Sequence, residues 1–106
     1  MNIWLDDNPI RDPKQGDWKI CRVAESCIDL LESGDHFGVI DLDHDLGPEI
    51  VCGSGVDVLK WLTNEALEKG KIPCNEIRVH TNNPVRHAEM LLMVDDINKI
   101  VSKNTL

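Results

Sequence analysis

The segment Ile40-Asp41-Leu42-Asp43-His44-Asp45-Leu46-Gly47 brings three carboxylates and an imidazole together over residues 41–45. It follows the apolar run Phe37-Gly38-Val39-Ile40 and ends in Gly47-Pro48, the pattern of a buried strand entering a turn. Charge at such a boundary is costly unless it is paired or holds a cation. Asp6 and Asp7 close another short apolar run, Asn2-Ile3-Trp4-Leu5, and His80 closes the run that starts at Glu76. In open α/β sheets, ligands bind just beyond the carboxyl ends of the strands. Asp6, Asp7, Asp43 and His80 are therefore expected at one sheet edge, as an acidic site that attracts a metal ion.

The elements that must position them can be read from the same chain. Asn2 to Leu5 reads as a first buried strand, and the Pro- and Gly-containing stretch from Asn8 to Asp17 as a loop that could pass over the sheet as a flap. Trp18 to Val23 alternates as a second strand. Ala24, Cys27, Ile28 and Leu31 then mark one face of a short helix that stops at Gly34. Phe37 to Leu42 is the third strand. Ser54-x-x-Asp57 forms a capping box that opens a helix through about Lys69, with Gly70 as its stop. Glu76 to His80 is the fourth strand. Asn83-Pro84 supplies an N-cap and a first-turn proline for a last helix to about Val101, with Met90, Val94, Ile97 and Val101 at helical spacing. Strand–helix alternation of this kind implies a mostly parallel sheet with right-handed crossovers.

With 106 residues the chain is expected to form one domain, residues 1–106, with a single modest core. No apolar run approaches the roughly 20 residues of a membrane span. The start, Met-Asn-Ile-Trp-Leu-Asp-Asp, has neither the basic region nor the apolar core of a signal peptide, so a cytoplasmic location is expected. The net charge of −8 argues against sequence-independent binding to duplex nucleic acid, which needs clustered Lys and Arg. It leaves room for a phosphate ligand, because a bound divalent cation would invert the local field. Cys21, Cys27, Cys52 and Cys74 lack zinc-type spacing and read as free thiols, the first two in the core.

Ile3-Trp4-Leu5-Asp6-Asp7, Leu42-Asp43-His44-Asp45-Leu46-Gly47, Gly55-Val56-Asp57-Val58-Leu59 and Val79-His80-Thr81-Asn82-Asn83-Pro84 occur in this order along nearly the whole chain. Together they resemble the cyclic-phosphate processing receiver-like domains, a divergent branch of the response-regulator receiver fold. The resemblance implies a small three-layer receiver-like (flavodoxin-like) α/β domain of about four parallel strands, reduced by loss of the first helix and the last strand. It places Asp6, Asp7 and Asp43 where ordinary receivers hold Mg²⁺, and puts His44 and His80 in the site. The implied ligand is a cyclic nucleotide or a 2′,3′-cyclic phosphate end, processed in a bacterial cytoplasm, or in the host cytoplasm if the chain is phage-encoded. Two departures stand out: Arg11 follows the acidic pair at a distance, after Asn8-Pro9-Ile10, and Val85-Arg86-His87 opens the last helix.

Splitting a cyclic phosphodiester needs a nucleophile, charge neutralisation and a proton for the leaving alkoxide. Mg²⁺ or Mn²⁺ on Asp6, Asp7 and Asp43 would lower the pKa of a bound water, and His44 and His80 would serve as base and acid. Asp45 could orient an imidazole, and Arg11, Thr81 and Asn83 could hold phosphate oxygens. A metal-free version uses the two histidines alone. Duller roles stand beside these: Asp6 and Asp7 as solvated strand ends, His44 as a packed neutral imidazole, Asn83 and Asp57 as helix caps. Trp4, Trp18 and Trp61 are expected to fill the core, with Trp18 a possible border of a base-stacking pocket. The alternatives to a phosphoesterase are a non-catalytic sponge for the same ligand and a receiver that accepts a phosphoryl group on Asp43. A homodimer is possible, although no surface patch in the sequence compels it.

Overall fold

The structure, a computed structural model, describes residues 1–104. Four strands form one all-parallel sheet in the order β2-β1-β3-β4: β1 (Asn2–Leu5), β2 (Trp18–Cys21), β3 (Phe37–Leu42) and β4 (Cys74–Val79). The helices are α1 (Ala24–Glu32), the short α2 (Glu49–Cys52), α3 (Gly55–Lys69) and α4 (Pro84–Asn104). This is the receiver-like α/β class expected. The second strand stops two residues early, where Arg22 turns out of the ladder to bind main chain and side chain. The fourth starts two residues early and leaves His80 just beyond its end. The helix at Glu49 has no apolar period to announce it, and α4 runs three residues past Val101.

Topology decides which sheet face is covered. The chain moves in the same direction across the sheet from β2 to β3 and from β3 to β4, so right-handed connections put α1 and α3 on one side. α3 packs against both α1 and α4. Beneath them lie Ile3, Leu5, Ile40, Leu42 and Ile77, all buried. Only the β1–β2 connection runs the other way, and it holds just a 3₁₀ turn, Pro9–Arg11. The expected loss of the first helix therefore removes a layer. None of the three long helices covers the second face, where the pleat directs Trp4, Trp18, Ile20, Val39 and Arg78. This corrects the expectation for the tryptophans: all three are only half-buried.

Phe37 is buried at the start of β3. Beside it, Gly38 N–H donates to Met1 O and Val39 N–H to the Asn2 side-chain Oδ1. A Cβ on Gly38 would sit 2.6 Å from Asn2 Oδ1, which explains the glycine.

The capping box is formed as read: Ser54 Oγ accepts from Val56 N–H, and Asp57 Oδ2 from Ser54 N–H at 3.0 Å. It seats Gly55 directly under the third strand's end. A side chain there would collide with the main-chain carbonyl of Asp43 and come within 2.6 Å of Met90 Cε. Gly55→Ala is expected to cost about 1–3 kcal/mol by overpacking. For a chain of this size that lowers the thermal midpoint by roughly 5–15 °C, measurable by circular dichroism. An unchanged midpoint would contradict this packing.

Candidate active site

Period-two alternation places Trp4 and Asp6 on the same side of β1, and Asp41 and Asp43 on the same side of β3. Asp6 and Asp43 follow their strands' last residues, side by side at the carboxyl edge: Asp43 N–H donates to Leu5 O, and His80 N–H to Leu42 O. Asp6 is 0% exposed, Asp43 1% and Asp41 8%. Buried carboxylates at this density require partners.

His80 supplies most of the compensation. Its Nδ1 lies 2.6 Å from Asp41 Oδ1 and its Nε2 3.0 Å from Asp6 Oδ2, so the imidazolium form donates to both. The ring lies flat on Trp4, with centroids 3.9 Å apart and 9° between planes, the geometry of a cation on an indole face. Burial by itself would lower the pKa of His80. The hydrogen bonds to Asp41 and Asp6, with the nearby Asp43 charge, outweigh it and raise the pKa above the ordinary 6.5. One polar atom goes without: Trp4 Nε1 is buried with no hydrogen-bond partner among the described residues.

Asp43 is shifted upward as well, first by burial and then by the adjacent Asp6 charge. His80, the His44 amide and Arg11 pull in the opposite direction. His44 N–H donates to Asp43 Oδ1 at 2.8 Å, and Arg11 Nη1 reaches Asp43 Oδ2 at 3.5 Å and Asp6 Oδ2 at 3.7 Å. Arg11 sits on the β1–β2 connection, which Arg22 holds down. The Arg22 guanidinium grips both carboxylate oxygens of Asp12, at 2.8 and 2.6 Å, and donates to Asp6 O at 2.9 Å.

The structure thus groups Asp6, Asp43, His80 and Arg11. Ligand atoms of Asp6, Asp43 and His80 lie within 4.8 Å of one another. The two carboxylates suit a hard divalent cation such as Mg²⁺ or Mn²⁺, whereas His80 would have to give up a proton to join them as a ligand. Asp7 stands outside this group, exposed, near enough to Arg22 to act on its charge. His44 turns its Nδ1 to Asp45 Oδ1 at 2.7 Å, with Asp45 at the surface. Asn83 Oδ1 accepts from the Val85 and Arg86 amides as the cap of α4, and Thr81 Oγ1 accepts from Asn83 N–H. Sequence reasoning left Asp41 at the margin and gave no part to Arg22, Asp12 or a Trp4–His80 stack. Strand parity was the available signal, because Trp4 precedes Asp6, and Asp41 precedes Asp43, by two.

With this geometry in view, a comparison with protein families becomes decisive: residues 1–96 match the model of the cyclic-phosphate processing receiver domain. The chain belongs to that family. Comparison with curated proteins and with solved structures gives no match. This receiver domain is accordingly one for cyclic-phosphate processing at the level of its family, and among its described residues no helix is long and apolar enough to cross a membrane.

His80 has a raised folded pKa, so the stability its charged form contributes is in full force below about 6.5, the unfolded value. It fades as pH rises through the folded value; Asp43, raised too, tilts stability the same way at lower pH. An NMR titration of the His80 ring in metal-free buffer is expected to give a midpoint above 6.5, falling in Asp41→Asn. A parent midpoint at or below 6.5 would sink the bridged-imidazolium picture.

Proposed function

We propose that this receiver domain is a metal-assisted phosphoesterase that opens a cyclic phosphodiester, in a cyclic nucleotide or at a 2′,3′-cyclic phosphate end. The supporting observation is the pairing of a proton-bearing imidazole, His80, and a guanidinium, Arg11, with two buried carboxylates at the sheet's carboxyl edge. Arg11 has half-exposed reach and turns from the carboxylates to the phosphoryl oxygens, joined by Thr81 and the amide nitrogen of Asn83. His44, with Nδ1–H given to Asp45, keeps Nε2 free to take a proton from the attacking water. As water bonds to phosphorus, the ring P–O bond breaks and the leaving alkoxide takes the His80 proton. Asp41 holds His80 in orientation through Nδ1, as carboxylates do for acting imidazoles. Asp6 and Asp43 would hold Mg²⁺ or Mn²⁺, with Asp7 adding charge at the rim. Such an ion, when bound, neutralises phosphoryl charge and lowers the pKa of water.

One observation favours a second reading. Both His80 nitrogens are already engaged, and a locked imidazolium would bind a phosphate without releasing a proton, as a sponge requires. A phospho-accepting Asp43 has less support, because both its oxygens are occupied and its carboxyl is buried.

Incubating the protein with cyclic mononucleotides, cyclic dinucleotides and 2′,3′-cyclic phosphates, with Mg²⁺, Mn²⁺ or EDTA, separates these cases. Turnover is expected with metal, abolished by EDTA, and reduced about 100-fold or more in Asp43→Asn and in His80→Gln. EDTA-resistant turnover would move the chemistry to His44 and His80. A ligand recovered intact after denaturation would make the domain a sponge, and neither binding nor turnover would remove the phosphoesterase reading.

A further inference from the structure

We infer that the helix-free face of the sheet, directly below the acidic cluster, seats a nucleobase. The ligand is then a base-bearing cyclic nucleotide rather than a base-free cyclic ester. The inference rests on the cluster being the phosphate site.

Strand register lays out the surface in rows. Ile20, Trp4, Asp41 and Arg78 are paired in sequence across the four strands, and the row of Asp6, Asp43 and His80 lies above them at the edge. Trp18, opposite Asn2, lies one row further down, and it meets Trp4 edge-on with centroids 5.7 Å apart at 86°. Trp18 is half-buried and Ile20 is 39% exposed, because no helix covers them. Trp18 Nε1 is tied to Gln15 O at 3.0 Å, which fixes the indole while leaving its ring as the apolar feature of the face.

Continuity with the cluster is what singles out the occupant. Trp4 carries His80 on one side and touches Trp18 with its edge, so the apolar patch begins where the charged site ends. Trp18 belongs to the second same-face row below the cluster, but ring contacts close the gap. Trp4 stacks on His80 at 3.9 Å and meets Trp18 at 5.7 Å, centroid to centroid, a span within the reach of one nucleotide. Bases stack on aromatic side chains and tolerate an aliphatic neighbour such as Ile20. A second copy of the chain fits less well. A stable protein interface needs about 800 Å² from each partner. Here the apolar strip ends at buried Asp41 and at the Glu76–Arg78 ion pair on the neighbouring strands.

The test uses two probes that share the same five-membered cyclic phosphate, 2′,3′-cyclic AMP and glycerol 1,2-cyclic phosphate, with the full chain and calorimetry. Trp18→Ala is expected to weaken 2′,3′-cyclic AMP about ten-fold or more while leaving the glycerol ester unchanged, and Trp18→Phe to recover most of the loss. If Trp18→Ala fails to melt cooperatively, Ile20→Asp at the exposed neighbour carries the same expectation. Equal affinity for both probes, or equal loss of both in the variants, would overturn the base seat and leave the phosphate site standing. Binding of neither probe would remove both together. A dimer in sedimentation that Ile20→Asp dissociates would assign the face to a second copy and overturn the inference.

Discussion

Three carboxylates buried at one end of a four-stranded sheet are the constraint to which the surrounding structure answers. Asp6, Asp41 and Asp43 cannot stay charged in that position without donors, and the donors come both from far along the chain and from neighbouring amides. His80 bridges two of them across 39 and 74 residues of sequence. The Asn8 amide donates to Asp6 Oδ1 at 2.8 Å, and the His44 amide does the same for Asp43. Removing one partner from such a network leaves a buried charge uncompensated, which costs more than the pair contributes when intact. Fold and site are thus stabilised by the same contacts.

The bare sheet face follows from one topological step. A connection from β1 to β2 long enough for a helix would have covered Trp4 and Ile20, and would have made Trp4 a core residue. A short flap runs there instead, pinned through the Arg22–Asp12 fork, and it delivers Arg11 to the carboxylates. Arg22 also binds the carbonyl of Asp6, so the flap and the acidic edge are held in one unit. In the proposed reaction Arg11 would exchange carboxylate for phosphate while its anchor stays fixed.

What the chain spelled out locally could be read, and what it assembled at long range could not. Ser54 and Asp57, Gly70 in the left-handed region, and Asn83-Pro84 each act through neighbours within four residues, and each forms the cap expected. The strand-end placement of Asp6, Asp43 and His80 followed from period and topology. The Asp41–His80 bond joins partners 39 residues apart, and the Arg22–Asp12 fork ties a loop to the residue after a strand, so neither is set by near neighbours in sequence. Trp4 and Trp18 misled because large aromatic residues on a sheet are core only where a second layer covers that face. Glu49–Cys52 was silent because Ile50 and Val51 point to solvent.

Charge arithmetic connects this geometry to the choice between metal-assisted and metal-free chemistry. Three carboxylates faced by the His80 and Arg11 cations leave the cluster about one unit negative, in a chain whose net charge is already −8. A cyclic phosphodiester is an anion, and such a site repels it. The sign inverts in one of two ways. A divalent cation on Asp6 and Asp43 would make the site positive, or a proton on Asp43, whose pKa burial and Asp6 already raise, would bring it to neutrality. The second route weakens as pH rises, because Asp43 then holds its charge. Near neutral pH the same crowding of carboxylates that costs stability would give a divalent ion its place, and that is the physical case for including metal in the proposed reaction.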